Sequence, residues 1–113
     1  MNAHGAVASY ALGRGVWEAV ESDWRTAPVS VEVRATLDFL EKLTLRPETL
    51  TAADAGAVRD TGVSEEALVD AIHICALFSM IVRLADSLGW DVPPFDSFYD
   101  RADGMLESGY RLD

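Results

Sequence analysis

Residues 64–89, SEEALVDAIHICALFSMIVRLADSLG, are the longest stretch with one consistent pattern, and the pattern is that of a single long helix. Ser64 offers an N-cap hydroxyl to a first-turn amide, and Glu65 and Glu66 put negative charge at the positive end of the helix dipole. Gly89 suits the left-handed residue that closes a helix, and Pro93 and Pro94 stop it from resuming. Leu68, Ile72, Cys75 and either Phe78 or Ser79 follow helical spacing. From Ala71 to Ala85 the only strongly polar side chains are His73 and Arg83, so this helix is apolar nearly all round and needs cover nearly all round. The apolar run is shorter than the ~20 residues that cross a bilayer core, so a membrane span is not expected. So small a chain has few neighbours to shield the helix. A second copy is expected to supply the rest, which predicts a homo-oligomer, dimer or higher, built through helix 64–89.

Around this helix, 113 residues allow one domain with a modest core and a high surface-to-volume ratio. Half of the residues are apolar and a quarter charged, a globular composition. The formal charge of −10, with a single lysine at position 42 and eight arginines scattered singly, argues against nucleic acid and against anionic membrane surfaces as partners. One cysteine excludes an intramolecular disulfide and a cysteine-rich zinc site. The opening residues MNAHGAVASYALGRG show no basic region ahead of an apolar one, so no secretory signal is expected. Both features suit the cytoplasm.

Taken in order, residues 2–12 predict a short helix stopped by Gly13 or Gly15, with Val7, Tyr10, Ala11 and Leu12 inward. Residues 16–24 predict a second, with Val16, Val20 and Trp17 or Trp24 at helical spacing. Thr26-Ala27-Pro28 breaks the chain and Ser30 caps a third helix, where Val33, Leu37, Leu40 and Leu43 form the expected apolar stripe. Pro47 ends that helix near Leu45. Thr51 and Asp54 have the spacing of a capping box before a short helix closed by Gly62. Residues 95–108 predict a final amphipathic helix weakened by Gly104. No segment alternates as a strand does, so the fold class is all-α, with about five to six helices and a long central one.

Three pieces of this pattern resemble the carboxymuconolactone decarboxylase and alkylhydroperoxidase D (AhpD)-like superfamily, especially its small peroxidase-related members. They are Asp23-Trp24-Arg25-Thr26-Ala27-Pro28 with Leu40-Glu41-Lys42-Leu43-Thr44; Leu50 to Asp60 with the turn Thr61-Gly62-Val63-Ser64-Glu65-Glu66; and Ala76-Leu77-Phe78 with Arg83-Leu84-Ala85-Asp86 and Leu88-Gly89. The likeness covers roughly residues 16–92, and Met105 to Tyr110 resemble the family's usual ending. It implies an AhpD-like helical domain over residues 1–113, N-terminally truncated relative to the family. Members of the thiol branch carry a CxxCxxxH motif on an earlier helix, and Ala3-His4 ahead of an apolar helix resembles its tail. By that alignment His4 is the motif histidine and a catalytic remnant, and both cysteines fall before Met1. Ser79 and Val82 replace two asparagines of the long-helix signature.

The family's peroxide reduction needs one thiol whose thiolate attacks the peroxide and a second that resolves the sulfenic acid. Neither is encoded, so the resemblance implies a peroxidase-related protein without thiol peroxidase activity. Cys75, in the most apolar turn of the long helix, is expected to be an inert packing residue. His73 is expected to be partly buried and hydrogen-bonded, Asp86 to pair with Arg83 three residues before it, and the tryptophans to pack between helices. His4 and His73 do not make a metal site, and no cofactor is expected. Two other functions stay open: an oligomeric structural or small-ligand-binding module, and decarboxylase-type chemistry using His73 and Arg83 should they converge.

Overall fold

The computed structural model describes residues 2–109 and is all-helical. In chain order the helices are α1 (Asn2–Leu12), α2 (Arg14–Asp23), α3 (Val31–Leu45), α4 (Ala52–Asp60), α5 (Glu65–Leu88), α6 (Phe95–Tyr99) and α7 (Ala102–Ser108), with a short 3-10 turn at Pro47–Thr49. No strand occurs among the described residues. The chain divides into two compact units, one of residues 29–90 and the other of residues 1–28 with 91–113.

In the unit of residues 29–90, α3 packs against both α4 and α5, and α4 packs against α5. Each helix starts where its sequence provides a cap. Ser30 Oγ accepts from the Val33 amide at 3.2 Å, and Ser64 Oγ accepts from the Ala67 amide at 3.1 Å. At α4 the Thr51 amide donates to Asp54 Oδ2 at 2.8 Å, completing the capping box. α5 ends at Gly89, whose φ of 62° lies in the left-handed region where a side chain would be strained. The core of this unit is small: Phe39, Val58 and Leu68 are buried, with side chains such as Leu40, Leu43, Leu50 and Ile72 half-buried against them. The expected α3 stripe is therefore rotated. Phe39, absent from it, is the buried residue of α3, whereas Val33 is exposed, because α4 and α5 lie against the side that carries Phe39, Leu40 and Leu43.

In the other unit α1 packs against α2, α6 and α7. Gly5 lets α1 and α2 approach closely: a Cβ there would lie 2.5 Å from a Trp17 ring carbon. The inward face of α1 holds Ala6, Val7 and Ser9; Tyr10, Ala11 and Leu12, expected inside, are exposed. Small residues face in because a helix this close to its neighbours has no room for larger ones. The Ser9 hydroxyl is fully buried and has no hydrogen-bond partner among the described residues. The final helix is two, interrupted at Asp100–Arg101, where the Arg101 amide turns back to the Phe98 carbonyl at 3.2 Å. Gly104, the expected weak point, lies inside α7.

Candidate functional site

The residues with chemistry to offer do not gather into a catalytic constellation. His4 is exposed on α1. Cys75 is half-buried on α5, its sulfur 3.5 Å from the Thr44 hydroxyl of α3, so it is a contact residue at the α3–α5 seam and less enclosed than its sequence surroundings predict. His73 is exposed, not half-buried, because it lies on the side of α5 turned away from Leu68 and Cys75. Arg83 donates to the Ser79 carbonyl at 3.0 Å, one turn back, and forms no ion pair with Asp86. His73 and Arg83 are ten residues apart on one helix, about 15 Å along its axis at ~1.5 Å per residue, so they cannot act together on one small substrate within a single chain. Among the described residues no group of three or more His, Cys, Asp or Glu side chains could hold a metal.

A half-buried ion pair joins α3 to α4. Lys42 Nζ donates to Asp54 Oδ1 at 2.6 Å, and the other carboxylate oxygen of Asp54 accepts from the Thr51 amide and hydroxyl at 2.8 and 2.9 Å. The Lys42 hydrogen bond, followed by those from Thr51, lowers the Asp54 pKa from 3.8 to about 2. Sequence spacing pointed to Asp54 as a cap; its second role, holding the only lysine of the chain, depends on how α3 lies against α4 and has no sequence signature. The recess beside the pair, about 110 Å³ between Asp38, Phe39 and Ala57, is a packing gap next to a structural ion pair.

In the other unit the Arg14 guanidinium lies over the rings of Phe95 and Tyr99, 5.3 and 5.0 Å from their centroids, and reaches Asp96 at 3.2 Å. This ties α2 to α6 by stacking on aromatic faces.

The surface of α5 is the most distinctive feature. Of its 24 residues only Leu68 is buried. One row, Leu68, Ile72, Cys75 and Ser79, faces the core of its own unit, buried or half-buried. A second, Ile74, Leu77, Ile81, Leu84 and Leu88, is between 51 and 63% exposed. Leu77 is nine residues from Leu68, two and a half turns at ~3.6 residues per turn, so the rows lie on opposite faces of the helix. The alternating three- and four-residue steps of the outer row were already present in the sequence. A helix apolar all round hides such a stripe until differential burial separates it. α5 is also long and apolar enough to cross a membrane, by length and composition. The interruption of its apolar run therefore does not by itself exclude a span. Asp70, Arg83 and Asp86 lie within it.

No family model matches this sequence, and no curated protein matches it.

Proposed function

We propose that this protein is a self-associating helical module of the AhpD-like superfamily whose residues 1–113 do not themselves carry two-thiol peroxide chemistry. The observation that carries the self-association is the outer face of α5, a continuous row of half-exposed aliphatic side chains on the longest helix of the chain. Monomeric proteins seldom leave so large a contiguous apolar surface in water unless something binds there. The kinship is supported by the sequence resemblance, and the all-helical fold with its long capped helix is compatible with it.

The 113 residues supply one thiol, Cys75, held against Thr44. A peroxidatic cysteine needs a second thiol to resolve it. A protein partner for α5 is preferred to a bilayer on two grounds: its inner row packs on Phe39 and Val58, and four ionisable side chains, Asp70, His73, Arg83 and Asp86, interrupt its length beyond the acidic first turn. The separation of His73 from Arg83 gives the decarboxylase reading no support.

Two measurements test the proposal. Light scattering at micromolar concentration should return a mass of at least two chains; a stable monomer refutes self-association. Peroxide consumption, with Cys75→Ser as control, should show no thiol-dependent turnover; robust turnover lost in the variant refutes the chemical half.

A further inference from the structure

We propose that the recess between α2 and α6 binds a small organic ammonium ion. The site lies within the unit of residues 1–28 with 91–113 and does not depend on how α5 is covered. Arg14, Trp17, Glu18 and Glu21 stand at helical spacing on one face of α2. With Phe95 and Asp96 at the start of α6 they line a recess of about 240 Å³. At ~30 Å³ for each water-sized group, that is room for on the order of eight non-hydrogen atoms.

Two of the walls are half-buried aromatic rings. Trp17 lies against α1, so close to Gly5 that a Cβ there would be 2.5 Å from a ring carbon, and this wall is therefore set before any ligand arrives. Phe95 already carries a cation, the Arg14 guanidinium 5.3 Å from its centroid, with the Asp96 carboxylate beside it. A bare metal ion does not suit the recess: among the described residues no three His, Cys, Asp or Glu side chains are grouped to hold one. Aromatic walls with separated carboxylates suit a larger, weakly hydrated cation, whose methyl or methylene groups lie on the rings while its charge faces the acids.

Charge decides the sign of the ligand. Three carboxylates against one guanidinium leave the recess with two negative charges. Asp96 answers Arg14 at 3.2 Å, whereas Glu18 and Glu21 have no hydrogen bond or ion pair among the described residues. These charges also oppose the helix that carries them. Arg14 opens α2 at the positive end of its dipole, and Glu21 stands in the last turn, at the negative end, where no basic residue occurs. Glu18 and Glu21 are like charges one turn apart on the same face. Such an arrangement weakens α2 in the empty protein. A cation seated beside Trp17, between the two glutamates, relieves both conflicts at once.

Choline chloride is the probe, titrated against sodium chloride at constant ionic strength and read from the Trp17 indole N–H resonance. The resonance should shift and saturate with a midpoint on the order of millimolar, and the uncharged tert-butyl isostere of choline should bind about tenfold more weakly. Equal binding of the two overturns a cation site. Glu18→Gln and Glu21→Gln should each weaken choline binding by about two- to fivefold. Without choline each should raise the melting temperature, because it removes a charge that opposes α2. Glu48→Gln, at an exposed carboxylate of the other unit, should bind choline as the wild type does. Wild-type affinity in both α2 variants, or an equal loss in Glu48→Gln, overturns the assignment. A short peptide with one lysine, titrated in parallel, distinguishes the source of the ammonium: a response to choline supports a free ligand, and a response to the peptide alone supports the same chemistry on a protein partner. No saturable response to either by ~100 mM overturns the proposal.

Discussion

Leu68 and Leu77 are nine residues apart on the same helix, and truncating each to alanine should give different results. Leu68 is 2% exposed and packs with Phe39 and Val58. Removing three buried carbons costs about 2.4 kcal/mol at ~0.8 kcal/mol each, and the cavity raises this into the range of about 2–5 kcal/mol. Leu77 is 52% exposed, so within one chain its truncation should cost about half the transfer value, ~1 kcal/mol. If the outer face of α5 is covered by a second copy, the remaining half reappears only in the assembled protein. The assay is urea unfolding followed by circular dichroism at low and high protein concentration. Leu68→Ala should lose the same stability at both. Leu77→Ala should lose more at high concentration, where each tenfold increase stabilises a wild-type dimer by about 1.4 kcal/mol. Equal, concentration-independent losses at the two sites would refute the assignment of inner and outer faces, and a near-neutral Leu68→Ala would refute the core itself.

Three further outcomes follow from particular contacts. Ser9→Ala should leave stability unchanged or raise it by about 1 kcal/mol in thermal unfolding, because a buried hydroxyl without a partner costs desolvation and gives nothing in return. Gly5→Ala should destabilise by about 1–3 kcal/mol despite alanine's better helix propensity, since the new methyl meets the Trp17 ring; near-ultraviolet dichroism should register the displaced indole. The folded state holds the Asp54 carboxylate more firmly than the unfolded chain does. Its stabilising contribution is therefore complete above the ordinary value of 3.8 and is lost as pH falls through about 2. Asp54→Asn should lower stability at neutral pH and flatten its dependence on pH across that acid window.

Local signals in the sequence specified the elements well. Ser30, Ser64, Thr51 with Asp54, and Gly89 mark helix ends by short-range hydrogen bonds and backbone preference, and each acts in the structure as its spacing predicts. Which face of a helix turns inward was less legible. Phe39 in place of Val33, and the buried Ala6 and Ser9 in place of Tyr10 and Leu12, depend on how closely neighbouring helices approach, which is a tertiary quantity. The single helix expected over residues 95–108 is two, parted at Asp100–Arg101, where the Arg101 amide bonds the Phe98 carbonyl in a local turn. Of the candidate chemistry, the sequence correctly set His73 and Cys75 on different faces of α5, yet the engagement of Lys42 by Asp54 and the backbone contact of Arg83 required coordinates.

The core of residues 29–90 has three buried side chains, while α5 turns its larger aliphatic groups outward. A chain arranged this way draws part of its durability from company. Diluted far enough, it would spend more time open and meet proteases in that form, so its lifetime in a cell would depend on how much of it is made.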